Sequence, residues 1–391
     1  MALIEMNILM KRSSSRREAA SRSRSSRYKQ ERKTGKTLRS VPQLEQPPTE
    51  ATQHNSVNTT TESLKISNMA DEKQEFLELN NGVRIPSLGF GTWQASDKEL
   101  EDAVEHALTA GYRHIDGAYA YENEKALGRV LKRWIDSGRV KREDLFIVTK
   151  LPEVGNTPAG VVKYLQRSLD NLGLSYVDLY LVHTPFGYHE RGEDLHPMTD
   201  EGVIDVDMGT DHIAIWKAME DQVEAGKTRC IGLSNFNEKQ IERVWTSAER
   251  IKPAMLQVEL HLYFQQKELV NYCNSRKIKV CAYSPLGSRG SAKLLGKEIP
   301  ELLENPEVKK VAEKHNKTPA QVLLRHTIQR GIAAIPKSTN PGRIVQNFQI
   351  FDFELSPEEV ASLDAQDQGK DGRILDFKFF KGVEKHPEFP F

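Results

Sequence analysis

Cysteine is scarce in this chain, with three in 391 residues: Cys230, Cys273 and Cys281. They form no CxxC pair and sit in or near apolar runs such as "RCIGLSNF" and "KVCAYSPL". The expected state is buried, reduced thiols in a reducing compartment, and no metal site is expected. Long apolar runs are also missing, since none approaches the roughly 18 residues that a membrane span needs. A soluble protein is expected. Net charge is absent overall, with 55 Lys and Arg against 55 Asp and Glu, but the balance is uneven. Residues 1–40 hold twelve bases against Glu5, Glu18 and Glu31, which leaves the remainder with 43 bases and 52 acids, a net of −9. A mildly acidic body argues against nucleic acid as a partner.

The basic head "MKRSSSRREAASRSRSSRYKQERKTGK" lacks the periodic apolar residues that would bury a face, and polar linker follows it. Residues 1–70 are therefore expected to be disordered, with a folded domain over 71–391. The head reads as a mitochondrial transit peptide, a nuclear basic tract, an arm for anionic surfaces, or an extension ahead of a second start at Met69. The body is expected to be cytoplasmic, with the head leaving mitochondrial or nuclear targeting open.

From residue 76 the pattern changes. "FLELNNGVRIPSLG" carries two short extended runs around Asn81-Gly82, a hairpin signal. Eight apolar runs then alternate with amphipathic stretches: "LGFGT", "HIDGA", "LFIVTK", "DLYLVH", "RCIGLSN", "LQVEL", "VCAYSP" and "IAAIPK". Helix starts are marked by Ser96 with Glu99, by Thr157-Pro158, and by Thr318-Pro319 with Gln321. Near-continuous apolar strands joined by helices mean a parallel sheet covered on both faces. Eight such units in about 280 residues predict an α/β fold of the (β/α)₈ barrel type, with an N-terminal β-hairpin and a C-terminal substrate loop. A doubly wound sheet shares this alternation, but the chain has no GxGxxG between a strand and a helix.

In such a barrel, polar residues at the C-terminal ends of the strands are the site candidates. Asp116 lies within the end of the second run, Lys150 ends the third and His183 the fourth, and Tyr121 lies in the loop just after the second. Reducing a carbonyl needs a hydride for carbon and a proton for oxygen, and a phenol of pKa about 10 is a poor donor near neutrality unless perturbed. The expectation is that the Lys150 ammonium lowers the Tyr121 pKa, Asp116 holds Lys150, and His183 orients the substrate oxygen. Solvated rim residues would look the same in isolation, and an isomerase or lyase of phosphorylated sugars would share the fold.

"GYRHIDGAYAYENEKALG", "GLSNF", "QVELHLYFQQ" and "IPKSTNPGRIVQNFQIFDFEL" together resemble the aldo-keto reductase family over residues 76–391, closest to insect members of its aldose-reductase-like branch. The resemblance implies catalytic Asp116, Tyr121, Lys150 and His183, and NADPH-dependent reduction of aldehydes and ketones by a monomer. By it, Ser234, Asn235 and Gln257 hold the nicotinamide carboxamide, Tyr283 stacks on its ring, and Thr92 lies close by. Ser284, Leu286 and Ser288 match the pyrophosphate loop. Lys337, Ser338, Arg343 and Asn347 match the 2′-phosphate site, where two cations favour NADPH over NADH. Gln346 departs from the glutamate common in relatives and is expected to loosen the adenine contact. Trp93, Tyr119, Thr184, Phe186 and Phe377 are the implied pocket. Thr184 and Pro152 stand where aldose reductases carry tryptophans, so a wider cleft is expected, open to bulky ketones such as 3-oxo ecdysteroids. The alternative is a regulatory barrel that binds NADPH as a sensor with little turnover.

Overall fold

The computed structural model describes residues 74–288, 295–296 and 300–391, so the head expected to be disordered lies outside the described residues. The described chain opens with the hairpin of β1 (Phe76–Glu78) and β2 (Arg84–Pro86), paired antiparallel. Gly82 takes φ +79°, which lets its N–H bond to Leu79 O while Leu79 N–H reaches Val83 O, both at 2.9 Å.

The repeat then runs as eight strand and helix units. The first half is β3 (Gly89–Gly91), α1 (Asp97–Ala110), β4 (His114–Asp116), α2 (Glu124–Asp136), β5 (Phe146–Leu151), α3 (Pro158–Leu172) and β6 (Val177–Val182). After β6 a long connection carries a small antiparallel ribbon, β7 (Gly187–Tyr188) with β8 (Val206–Asp207), before α4 (His212–Glu224). The second half is β9 (Thr228–Ser234), α5 (Glu238–Ser247), β10 (Met255–Glu259), α6 (Lys267–Ser275), β11 (Lys279–Tyr283), α7 (Pro306–His315), α8 (Pro319–Gln329), β12 (Ala333–Ala334) and α9 (Pro341–Phe348). A further helix, α10 (Pro357–Asp364), precedes the C-terminal segment.

Barrel strands pair in parallel in the order β3-β4-β5-β6-β9-β10-β11-β12. The ends meet where Leu88 bridges Ala334, with Ala334 N–H on Ser87 O at 2.8 Å and Gly91 N–H on Pro336 O at 3.1 Å. The predicted (β/α)₈ barrel is thus closed by backbone hydrogen bonds. Predicted helix starts are used as caps: Thr157 Oγ1 accepts from Gly160 N–H, and Thr318 and Gln321 bond reciprocally. All three cysteines are free and buried.

Two-residue periodicity decides what faces the barrel axis. Phe146, Val148, Leu179, Leu181, Cys230, Met255, Cys281 and Ala333 pack together inside, with hairpin residues Leu79 and Ile85 among them. The alternate residues Ile147, Tyr180, Val182, Ile231, Leu256 and Val280 pack outward against the helices. Continued in steps of two along these strands, the inward series reaches Lys150, His183, Ser234 (by way of Gly232), Gln257 and Tyr283. Apolar layers fill the base of the barrel. A polar layer closes its top.

Candidate active site

At that top layer Lys150 Nζ donates to Asp116 Oδ1 at 2.6 Å, to Gly117 O at 2.8 Å and to Tyr121 Oη at 3.2 Å. The pair is deeply buried, with 1% and 3% of the Lys150 and Asp116 side chains exposed. Gln257 Nε2 donates to Asp116 Oδ2 at 2.7 Å, so both carboxylate oxygens are engaged. Thr92 Oγ1 donates to Asp116 O at 2.8 Å, and Asn123 Nδ2 to Thr92 O at 2.9 Å, which ties the ends of β3 and β4 together. The His183 and Tyr121 rings meet edge to face at 5.8 Å. Three neighbouring strands, β4, β5 and β6, and the turn after β4 therefore deliver Asp116, Tyr121, Lys150 and His183 to one place.

The electrostatics differ in part from the sequence expectation. Burial pushes the Tyr121 phenol up, and Lys150 pulls it down by less than that, so the group stays a protonated acid at neutral pH. The expected lowering by lysine is present but outweighed by desolvation. Burial opposes charge on Lys150, yet Asp116 and Tyr121 together hold its ammonium above the ordinary value. Burial, with Lys150 second, keeps His183 well below the usual imidazole range and hence neutral.

Ser234, Asn235 and Tyr283 form a chain beside this cluster. Asn235 Nδ2 donates to His183 O at 2.9 Å and Ser234 Oγ at 3.1 Å, and Tyr283 Oη donates to Asn235 Oδ1 at 2.7 Å. Ser284, Leu286 and Ser288 follow β11, the two serines with φ of +51° and +33°. On the far side of β12, Lys337 and Arg343 are exposed, while Ser338 and Asn347 are buried. Lys337 Nζ reaches Gln94 O at 3.2 Å and Arg343 Nε reaches Ser338 Oγ at 3.4 Å, both uncharged oxygens.

The expected pocket residues separate. Trp93 is half-buried after β3. Tyr119 turns toward α3, its ring against Tyr164 at 4.9 Å and its hydroxyl 3.4 Å from Arg167 Nη1. Thr184 is buried, bonding Phe186 O at 2.9 Å. Phe186 has no exposed surface, because Tyr188, Phe377, His386 and Phe389 surround its ring. Thr184 and Phe186 are thus buried, and Phe377, at φ +59°, sets its ring edge to face against Phe186 at 5.6 Å. An open groove of about 1260 Å³ lies beside the cluster, with Asn235, Glu259, Arg373 and Phe391 on its walls, and none of the four central residues lines it.

The Aldo/keto reductase family profile matches residues 87–368. The chain belongs to the aldo/keto reductase family. Mouse "Aldo-keto reductase family 1 member A1" is 44% identical over 320 residues, spanning 80% of this chain and 97% of that protein. The chicken protein of the same name is 46% identical over 288 residues, 73% of this chain and 87% of that one. Among solved structures, the aldose reductase from Schistosoma japonicum aligns with a TM-score of 0.74 at 42% identity, covering 81% of this chain and 98% of that one. As an aldo/keto reductase, the protein is an oxidoreductase of aldehydes and ketones whose family uses a nicotinamide cofactor.

Two acids of this aldo/keto reductase escaped the sequence reading. Glu259 ends β10 and accepts the backbone N–H groups of Ile374 and Leu375 at 2.7 Å each, anchoring the C-terminal segment over the barrel. Its place two residues after Gln257, on the inward series, was the available signal. Glu153 stands 3.8 Å from His183. Only its isolation between Pro152 and Val154, three residues after Lys150, marked it in advance.

Proposed function

We propose that the protein reduces aldehydes and ketones with NADPH, using Tyr121 as proton donor. The observation that carries this is Lys150 Nζ bonded at once to Asp116 and Tyr121 beside the His183 ring. Bound nicotinamide would supply the hydride. Tyr121, kept protonated by burial, donates its proton to the developing alkoxide, and Lys150 stabilises the phenolate left behind. Asp116 holds Lys150 charged, and His183 orients the substrate oxygen.

The residues fit NADPH chemically. Ser234, Asn235 and Gln257 offer amide and hydroxyl groups at the barrel top, Tyr283 a ring, and Thr92 supports the layer from β3. Ser284, Leu286 and Ser288 would line the pyrophosphate. Lys337 and Arg343, whose described bonds go to uncharged oxygens, retain charge for a 2′-phosphate at the N-terminal turn of α9, with Ser338 and Asn347 beside them. Bulky ketones, 3-oxo ecdysteroids among them, belong in the substrate range, because Pro152 and Thr184 leave the cleft to be shaped by Trp93 and Phe377. Among the described residues no helix is long and apolar enough to cross a membrane. A cytoplasmic monomer is proposed.

The test is nicotinamide oxidation by the purified protein with an aromatic aldehyde and a panel of 3-oxo steroids, beside Tyr121→Phe. Turnover with both substrate classes is expected, with kcat falling by about 10² or more in the variant while NADPH still binds. Cofactor binding without turnover of any carbonyl would leave the sensor reading instead. A kcat/KM for steroids far below that for the aldehyde would remove the steroid part alone.

A further inference from the structure

The acid beside His183 has no part in the chemistry described so far. Glu153 lies on the short 3₁₀ turn Glu153–Gly155 that follows β5, with 8% of its surface exposed. Its Oε1 is 3.8 Å from His183 Nδ1, longer than a formed hydrogen bond, and Nδ1 is buried without a hydrogen-bond partner. A buried, unpartnered imidazole nitrogen with a carboxyl oxygen 3.8 Å away is an unfinished contact. Catalytic hydrogen bonds are often long in ligand-free proteins and tighten when substrate binds.

Glu153 is faced from several elements. His183 and Thr184 stand at the end of β6 and Tyr121 in the connection after β4. Tyr188 of β7 faces it with a buried hydroxyl that also lacks a partner. Tyr164 of α3 packs against the 3₁₀ turn and bonds Glu190 through its hydroxyl. Beyond Gly187, against which Thr210 and the Glu153 carbonyl lie, Thr210 is paired with His386, whose ring also reaches Asp207 O. Lys150 acts on His183 from the other strand. Among the described ion pairs, the partner of Glu153 is His183.

We propose that Glu153 is a positioning residue that sets which nitrogen of His183 carries the proton, and so whether the site offers the substrate oxygen a donor or an acceptor. This rests on the carbonyl-reductase reading above. With Glu153 protonated, its O–H donates to Nδ1, and the single ring proton stays on Nε2, a donor suited to a carbonyl oxygen. With Glu153 ionised, Nδ1–H donates to the carboxylate and Nε2 presents a lone pair, suited to an alcohol O–H. One proton leaves for solvent between the two states, and the ring keeps one throughout. Burial and Lys150 stand against the remaining state, an imidazolium. Burial also pushes the Glu153 carboxyl up to about 7, which brings the exchange into the neutral range.

The experiment is ¹⁵N NMR of the imidazoles in the full-length protein, with and without NADP⁺, assigned by the signals lost in His183→Asn. Wild type is expected to carry the Nε2–H tautomer at about pH 6 and Nδ1–H at about pH 8. Glu153→Gln, which cannot ionise, is expected to hold one tautomer at both pH values. In turnover, kcat/KM for carbonyl reduction should fall about tenfold across the same interval in wild type, with the inflection lost in the variant. One tautomer of wild-type His183 at both pH values, or a titration unchanged in Glu153→Gln, would overturn the proposal. A tautomer shift in a protein that reduces no carbonyl would support the pairing and reject the reductase reading.

Discussion

Lys150 holds a charge where almost no water reaches, and the cost is offset by three oxygens within 3.2 Å. Removing one partner of such a pair is more damaging than removing both, because the survivor is left as an unpaired buried charge. Lys150→Met should therefore destabilise the fold by about 3–5 kcal/mol. Adding Asp116→Asn should recover much of that without restoring turnover, and denaturant unfolding of both variants beside their kcat values checks it. Glu153 makes the opposite case. Burial raises its folded-state pKa from 4.5 to about 7, so between those values the folded protein binds more protons than the unfolded chain, and stability falls as pH rises. Glu153→Gln should thus leave stability unchanged near pH 4 and raise it by about 3 kcal/mol near pH 8. Equal stabilisation at both pH values would contradict this. Asp116, Lys150 and His183 were legible because each sits at or near the end of an apolar run, and Tyr121 because the family resemblance marks the tyrosine five residues after Asp116. Glu153 was not, since its position beside His183 is set by a 3₁₀ turn that no periodicity marks, and the sign of the Tyr121 shift depends on a depth of burial that a sequence does not carry.

Elements are held at fixed distances by residues that tolerate little change. Gly128 on α2 meets the end of α3 so closely that a Cβ would lie 2.5 Å from Asn171 O and 2.8 Å from Leu172 O. Backbone atoms cannot yield as a flexible side chain can, so Gly128→Ala should separate the helices and cost about 1–3 kcal/mol in thermal or denaturant unfolding. The C-terminal segment is anchored differently, by two N–H groups on Glu259 and by Arg243 and Gln240 on Glu388. Glu259→Ala should free Ile374 and Leu375, raising KM for large ketones and opening the tail to proteolysis while Lys150 and Asp116 stay paired. Strands and most helices could be read in advance, because parallel strands buried on both faces are near-continuous apolar runs with caps between. The β7–β8 ribbon could not. Its strands are two residues each, and their pairing is made by tertiary contacts in a polar connection.

The molecule as a whole joins an apolar barrel base, closed by the hairpin residues Leu79 and Ile85, to a polar top where the inward series ends. Stability and chemistry thus occupy opposite ends of one set of strands. On the proposed reading, the cofactor preference is carried at a third place, after β12 and at the start of α9. Lys337→Met with Arg343→Leu should weaken NADPH by about 10² while changing NADH little, as titration by fluorescence would show. The central claim is hydride transfer to a carbonyl with the proton supplied by Tyr121, and its most direct measurement is a single turnover of an aromatic aldehyde with each 4-deuterated epimer of NADPH, in wild type and Tyr121→Phe. Deuterium in the alcohol from one epimer only, formed by wild type and lost in the variant, is the predicted result. Unlabelled alcohol from both epimers, or equal turnover by the variant, would contradict the account.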